Sequence, residues 1–396
     1  MKILFITPCV PTSSDGKRPF NFLRYLAPRH EIHLLCMKLP SQTPDDVRRI
    51  QKMGIRVMTV EYDQWRSLFH CVIGAVSAQP LRASWCHSSE FRAALEKTLE
   101  RHRFDFVHID RMRMGQYAPY IPIPKLVDFT DSLTLYLERS LTHRRKLAQR
   151  LVDAWELRTI PRFERWLLPQ IDASLVCSEV DAAEFKKWHP SHQFHVIENA
   201  VDSEQFKPKS HKPNHKTRCI LTGTLFYFAN VDSVLYYHDE ILPLLREIYP
   251  DLETHVIGAR PVHEIQKLNG RHGIRVFADI PDMADYLYQD DIYLCPLRVA
   301  AGVRNKLLEA MSAGMPIVTT RLGVEGMSIQ HNREALIAET PQEFYDCVQR
   351  LKTSPELCQE LAQNGRAYVQ KNHCLEILGG KLEDLYDRML REAAKP

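Results

Sequence analysis

The stretch Pro296–Thr320, PLRVAAGVRNKLLEAMSAGMPIVTT, contains one full step of an alternating strand–helix fold. The apolar run before it, DIYLCPL, ends at Pro296 and Leu297. The small residues Ala300, Ala301 and Gly302 follow, then a helical pattern from Val303 to Ala313, then Gly314, and PIVTT as the next strand. Glycine just past a helix is a common stop signal, because it adopts the left-handed conformation without strain. Strand, glycine turn, helix and strand in this order make a βαβ unit, the repeating element of a parallel sheet.

The same alternation extends in both directions. Upstream, CILTGTL begins a second series that continues through a helix from Val231 to Ile248, the strand THVIG, a helix near Val262–Leu268, the strand GIRVFAD and a helix from Met283 to Tyr288. The first half reads likewise: KILFIT, a polar loop PTSSDGKRP, the helix FNFLRYLAPR, then EIHLLCM, IRVMTVEY, DFVHID, KLVDFTD, IDASLVCS and HVIENAV. Between the halves, DSEQFKPKSHKPNHKTR is polar, holds two prolines and lacks apolar periodicity. The expected architecture is therefore α/β, with two doubly wound domains facing a cleft. We expect a first domain over 1–202, a linker over 203–216 and a second domain over 217–375. A C-terminal helix, about 376–396, is expected to pack back on the first domain.

Composition narrows the function classes. A net charge of +3 over 396 residues is too small to argue for nucleic acid, and no basic groove interleaved with aromatics is visible. Ten cysteines run from Cys9 to Cys374 without metal-ligand spacing, which suits reduced thiols in a cytoplasmic protein. MKILFITPCVP reads as a buried first strand rather than a secretory leader, because its apolar run is short and ends in proline and a polar loop. No apolar run approaches the ~20 residues that span a bilayer.

The chemistry centres on the Pro296–Thr320 segment. Gly302 lets the backbone approach a ligand, and the first free N–H groups of the following helix make an anion site. Lys306 and Glu309 are three apart and share one helix face. Such a pair can hold the diphosphate and the ribose hydroxyls of one nucleotide, and it is equally the spacing of an ordinary surface ion pair. In the first half, Asp110, Asp128 and Asp131 lie at or near carboxyl strand ends. Aspartates there also serve as plain turn residues. The loop Ser13-Ser14-Asp15-Gly16 follows the first strand, as a ligand-binding or an ordinary βα turn. No His/Asp/Glu cluster has metal-ligand spacing, so no metal or other cofactor is expected.

The Pro296–Thr320 segment resembles the donor site of glycosyltransferase family 4, whose fold is GT-B. In that family a glycine-rich turn meets the donor phosphates and a helix glutamate binds ribose. Glu309 stands at that glutamate, and Lys306 matches a lysine of members related to exopolysaccharide synthesis. A first glutamate, eight positions before the second, is replaced by Ala301. VIENAVDSEQFKP is similar to the family's inter-domain segment, with Ala200 for a glycine. GTLFYFANVDSVLYYHDEILPLLREIYPDLETHVIG resembles the start of the donor domain, with Phe228-Ala229-Asn230 where many relatives have a basic pair. FADIPDMADYL resembles the loop whose backbone near Ile280 reads the base.

The resemblance thus implies Gly16, Gly223, Ile280, Ala301, Gly302, Val303, Arg304, Lys306 and Glu309 as donor-binding residues. It implies Asp131, Asp110 and Lys306 as catalytic candidates, with Thr130 where relatives often carry histidine. The implied activity is retaining transfer from a UDP- or GDP-type nucleotide-sugar to a glycan, lipid-linked or other cell-surface acceptor, by front-face departure of the phosphate. Two alternatives stay open: a nucleotide-sugar 2-epimerase of the same fold, and a donor-binding protein without turnover. The basic stretch Arg139–Trp166, with WRSLFHCVIGAV before it, reads either as a peripheral contact with an anionic membrane or as a solvated helix face over core aromatics.

Overall fold

The computed structural model describes residues 1–12, 16–144, 146–211 and 217–393. The loop residues Ser13, Ser14 and Asp15 and the linker residues 212–216 lie outside the described residues. The chain divides into two compact units, one of residues 1–198 with 376–396 and the other of residues 199–375.

The first unit begins with β1 (Lys2–Thr7), α1 (Lys17–Leu26), β2 (Glu31–Lys38), α2 (Pro44–Gln51) and β3 (Arg56–Glu61). Three helices follow, α3 (Gln64–Val76), α4 (Leu81–Trp85) and α5 (Ser89–Arg101), before β4 (Phe106–Asp110). A 3-10 segment, Met112–Tyr120, leads to β5 (Lys125–Thr130). Then come α6 (Leu133–His143), α7 (Leu147–Leu167), β6 (Ala173–Val176), α8 (Glu179–Trp188) and β7 (Phe194–Val196). The seven strands form one sheet in the order β3-β2-β1-β4-β5-β6-β7, with every pair parallel. β1, β4 and β6 are buried almost throughout, as expected for a parallel sheet covered on both faces.

The second unit begins with β8 (Cys219–Thr222) and α9 (Phe228–Tyr236), which passes through a π-turn at Tyr237–Ile241 into α10 (Leu242–Ile248). It continues with β9 (Thr254–Gly258), α11 (His263–Gln266), β10 (Ile274–Ala278), β11 (Ile292–Cys295), α12 (Asn305–Ser312), β12 (Ile317–Thr319) and β13 (Leu336–Ile337). The helices α13 (Pro341–Thr353) and α14 (Pro355–Asn372) close it. Its sheet has the order β10-β9-β8-β11-β12-β13, again parallel. Leu221, Val256, Leu294, Val318 and Leu336, one from each of five strands, meet Phe344 and Leu351 of α13 in one core.

The last helix, α15 (Leu375–Ala393), returns to the first unit. The Tyr386 hydroxyl lies 2.7 Å from His108 Nδ1 on β4, and Tyr25 of α1 donates to Glu383 at 2.9 Å. A Cβ on Gly379 would fall 2.3 Å from the Tyr25 ring, so this glycine sets how closely α15 approaches α1.

Several sequence boundaries shift. α1 starts at Lys17 rather than Phe20, because Pro19 sits in the first turn, where its missing N–H has no intrahelical partner to lose. The helix expected over Val231–Ile248 is interrupted by the π-turn, and the one expected over Met283–Tyr288 is a 3-10 segment, Met283–Tyr286. The first part of the expected linker is packed rather than free. Phe206 is buried and its carbonyl accepts from Ser312 Oγ at 3.0 Å, while Lys209 Nζ donates to the Ala284 carbonyl at 3.2 Å. Trp65 and Phe69, which one of the two readings of this stretch placed among core aromatics, are 82% and 63% exposed on α3.

Candidate functional site

In an open parallel sheet, ligands bind beyond the carboxyl ends of the strands where the order reverses, because neighbouring loops splay apart there. In the second unit that point lies between β8 and β11. β8 is followed by Gly223, at φ 156°, and α9 begins five residues after it. A Cβ on Gly223 would stand 2.6 Å from the Asn230 amide, and one on Gly258 would stand 1.7 Å from the Gly223 carbonyl. Both glycines are therefore fixed by close approach of backbone and side chain.

On the other side, β11 runs into the loop Pro296–Arg304. Arg298 holds this loop to α9, donating from Nε and Nη2 to the two Asp232 oxygens at 3.0 and 2.7 Å. Thr320 Oγ1 donates to the Leu297 carbonyl at 2.7 Å, and Asn199 Nδ2 to the Val303 carbonyl at 2.7 Å. Gly302 takes φ 75°, a conformation that would strain any residue with a Cβ. The loop so pinned delivers the chain into α12, which starts at Asn305 rather than Val303.

Lys306, in the first turn of α12, reaches across the switch point and donates from Nζ to Asn230 Oδ1 at 2.9 Å. Burial pushes its ammonium below the ordinary lysine range, and the Arg304 charge adds to this. A bound anion would offset that burial and favour the charged form. Glu309, one turn on, is 5% exposed. It stands near Tyr293, whose hydroxyl lies 2.7 Å from Thr222 Oγ1 and whose phenol is raised well above its ordinary value, chiefly by burial. Lys306 and Glu309 are thus not a surface ion pair: one is anchored to Asn230 and the other is buried. Arg304 is buried as well, with Nη2 donating to the Leu322 carbonyl at 2.8 Å.

Ile280 is half-buried just beyond the end of β10. The residue before it, Asp279, accepts the Arg260 N–H at 2.9 Å, and the Arg260 guanidinium stacks 4.0 Å over the Phe226 ring. Gly223, Ala301, Gly302, Val303, Arg304, Lys306 and Glu309 therefore follow β8 or β11, while Ile280 follows β10.

The remaining sequence-derived residues follow strands of the first sheet, whose order reverses between β1 and β4. Gly16, in the left-handed region at φ 71°, precedes α1. Arg18 of α1 donates from Nε to Asp128 Oδ2 at 2.7 Å, and both side chains are buried. His108 Nε2 is 3.9 Å from the same oxygen, yet burial lowers this histidine to about 4. Asp110 pairs with Asp128 across β4 and β5. Burial raises its carboxyl to about 6, with Arg111 opposing and Asp128 reinforcing the shift. Asp110 Oδ1 is a buried oxygen without a hydrogen-bond partner among the described residues.

Both residues that leave these strand ends are strained. Arg111 has φ 68° and the β-branched Thr130 has φ 69°. For a β-branched residue a positive φ is a real outlier, with a cost of order 1–3 kcal/mol. The Thr130 N–H donates to Asp128 Oδ1 at 2.9 Å, and its carbonyl accepts from Cys177 at 2.7 Å, which hold the kink. Asp131 follows, half-exposed, ahead of the Ser132 cap of α6.

Sequence reasoning missed Asn230, Arg18, Asn199 and Arg298. Asn230 was visible only as a departure from a basic pair, and Arg18 meets Asp128 across 110 positions. Among the described residues there is no group of three or more His, Cys, Asp or Glu that could hold a metal ion, and no helix is long and apolar enough to cross a membrane.

Comparison with known proteins agrees with this fold. A family model described as Glycosyltransferase Family 4 matches residues 19–205, and one described as Glycosyl transferases group 1 matches residues 216–354. The chain is 27% identical over 209 residues, 48% of its length, to Glycosyltransferase 1 domain-containing protein 1 of Xenopus tropicalis. It is 22% identical over 167 residues, 40% of its length, to an uncharacterized 44.6 kDa protein in the cps region of Klebsiella pneumoniae. These matches span 59% and 43% of the relatives' own lengths. Among solved structures, sucrose-phosphate synthase of Thermosynechococcus elongatus superposes with a TM-score of 0.72 at 13% identity, over 99% of this chain and 100% of that one. Anabaena HepE in complex with UDP-glucose gives 0.68 at 11% identity, over 98% and 100%. With one model on each unit and these fold neighbours, the chain belongs to the family 4 and group 1 glycosyltransferases and has their GT-B fold of two Rossmann-like sheets.

Proposed function

We propose that the protein is a retaining glycosyltransferase that moves a sugar from a UDP- or GDP-type nucleotide-sugar to a glycan, lipid-linked or other cell-surface acceptor. The observation that carries this reading is the Lys306–Asn230 contact across the β8–β11 switch point, one helical turn from buried Glu309. In this account Glu309 receives the ribose hydroxyls, and backbone at Ala301, Gly302 and Val303 approaches the donor. Ile280 lines the base, and Gly16 and Gly223 give close passage at their strand ends. Lys306 and the first N–H groups of α12 meet the charge that grows on the departing diphosphate. Neither a metal nor another cofactor enters the scheme. Arg304 acts through the loop it pins at Leu322.

Front-face transfer fits a chain in which the departing phosphate oxygen takes the acceptor proton, with Asp131 and Asp110 placing or polarising the acceptor. The HepE neighbour, with UDP-glucose in its complex, supports a nucleotide-sugar donor. The Klebsiella relative from a cps region supports surface polysaccharide as the product class. The ten cysteines form no disulfide among the described residues, which suits the reducing cytoplasm.

A specific donor stabilises the native state by mass action, so a thermal-shift screen of nucleotide-sugars identifies it. The transferase reading then expects free nucleoside diphosphate to accumulate only when acceptor is added. Acid–base chemistry at the buried Asp110 carboxyl is what a 2-epimerase would use; such an enzyme would interconvert the donor with no acceptor present. A donor that binds and never turns over would leave only a binding protein.

A further inference from the structure

Helix α3 carries an apolar stripe on its outside. Trp65, Leu68, Phe69, Val72, Ile73 and Val76 recur at the helical period and are all exposed, from 46% at Ile73 to 86% at Val76. The inward face is made of small residues: Ser67 and Gly74 are buried, and a Cβ on Gly74 would stand 2.1 Å from Ser84 Oγ of α4. The helix is thus seated on the protein through its small residues and presents its large ones outward, the reverse of an ordinary surface helix. It contains no acidic residue, and the Asp63 before it is spent on its N-cap and on Arg66.

A second face adjoins it. Trp155 of α7 donates from Nε1 to the carbonyl of Gln79, just past the end of α3, at 3.3 Å. On the same face of α7 as Trp155 stand Leu147, Leu151 and Val152, exposed, and then Arg158, Arg162 and Trp166, also exposed. Every acidic residue of α7 points the other way. Asp153 accepts from Arg144 and Ser140, Glu156 accepts the Arg82 N–H, and Glu164 lies 3.5 Å from His189. The outward charge of α7 is consequently all positive, from Arg150, Arg158, Arg162 and Arg165.

We propose that α3 inserts into the headgroup region of an anionic bilayer while the arginine face of α7 rests on its phosphates. A helix with large apolar side chains outward and a neighbouring cationic face is the arrangement that binds anionic interfaces, through buried apolar area plus attraction to the lipid charge. The charge pattern selects lipid over a second copy of the chain, because two copies would bring two like-charged arginine faces together. A cavity of about 390 Å³ lies directly behind α3, lined by Tyr62, Arg66, His70, Trp85, His87 and Glu90.

The test is flotation of the full chain with vesicles of phosphatidylcholine alone or mixed with phosphatidylglycerol. Binding is expected only with phosphatidylglycerol, weakening at high salt as the charges are screened. Trp65→Ser/Phe69→Ser should reduce binding about tenfold or more, given the apolar area removed, and Arg158→Glu/Arg162→Glu should weaken it and flatten the salt dependence. Brominated acyl chains should quench the fluorescence lost in Trp65→Phe. Affinity for UDP or GDP, whichever the wild type binds, and the melting temperature should stay at the wild-type value on the same variants, which shows that they fold and keeps this outcome separate from the donor-site reading. Equal binding to both vesicle types, or no loss in the Trp65/Phe69 variant, would overturn the proposal. So would a concentration-dependent dimer abolished by that variant in a chain that ignores vesicles.

Discussion

Lys306 on α12 and Asn230 on α9 join the two sides of the second sheet's switch point through one hydrogen bond of 2.9 Å. Two glycines make room for it. Gly223 leaves space for the Asn230 amide, and Gly258 leaves space for the Gly223 carbonyl. The asparagine holds a lysine that burial has already pushed below its usual range, so the ammonium waits beside the α12 terminus with incomplete compensation.

Gly223→Ala should therefore disturb function as well as stability. Its Cβ would sit 2.6 Å from Asn230, forcing the amide away from Lys306. Overpacking of this kind costs about 1–3 kcal/mol. Gly270→Ala is the control, since its Cβ meets nothing within 4 Å and only its φ of 78° is strained. Both variants should melt earlier in calorimetry, and only Gly223→Ala should lose affinity for UDP or GDP, whichever the wild type binds. Equal binding of that nucleotide by the two would mean that the Asn230 anchor does not shape the site.

Asp110 provides a pH signature. Its carboxyl titrates at about 6 in the fold, above the ordinary aspartate value, because it is buried. The native state therefore holds its proton more tightly than the unfolded chain. Its contribution falls as pH rises from about 4 to about 6 and stays lost above that, a difference of roughly 3 kcal/mol by linkage. Asp110→Asn should unfold at higher denaturant than wild type at pH 7.5, and the gain should vanish at pH 4. A variant less stable at pH 7.5 would show that the carboxylate is compensated in the fold.

Thr130 and Asp131 separate strain from chemistry. Thr130→Gly should stabilise the protein by about 1 kcal/mol, since glycine accepts φ 69° without the penalty. Asp131→Asn should lower turnover more than donor affinity, because it follows a strand end of the first unit and not of the second sheet, where the donor is proposed to bind. Steady-state kinetics with both substrates decide this, and unchanged turnover would move the role to Asp110, Asp128 or backbone.

Turnover is expected to survive EDTA. The positive charge near the α12 terminus comes from Lys306, and no acidic cluster with metal-ligand geometry occurs among the described residues. Activity that disappears on chelation and returns with manganese would contradict the scheme.

The strand–helix alternation and the Gly302 turn were legible because both rest on local signals: period, apolar runs and glycine placement. Glu309 and Lys306 were legible as a pair on one face, but their spacing could not say that one would be buried and the other tied to Asn230, 76 positions earlier. Arg18 carries no local mark, and Asp128 carries only its strand-end position, until the sheet brings the two together. The Trp65–Val76 helix shows the limit most clearly. Its apolar period announces a face, but a period does not state whether that face meets protein or the outside. The π-turn at Tyr237–Ile241 likewise sits inside a pattern that reads as one helix.

The central claim is that Lys306 and Glu309 hold two parts of one nucleotide. Titrating uridine, UDP and UDP-glucose, with the guanosine series alongside, against Lys306→Ala and Glu309→Gln tests it most directly. Glu309→Gln should weaken all three ligands of the matching series, because ribose is common to them. Lys306→Ala should leave the nucleoside unchanged and weaken the diphosphate and the nucleotide-sugar. A charge-assisted contact contributes ~1.5–3 kcal/mol, so each loss should be about tenfold to a hundredfold. If both variants bind every ligand as wild type does, the donor is held elsewhere and the account of this site is wrong.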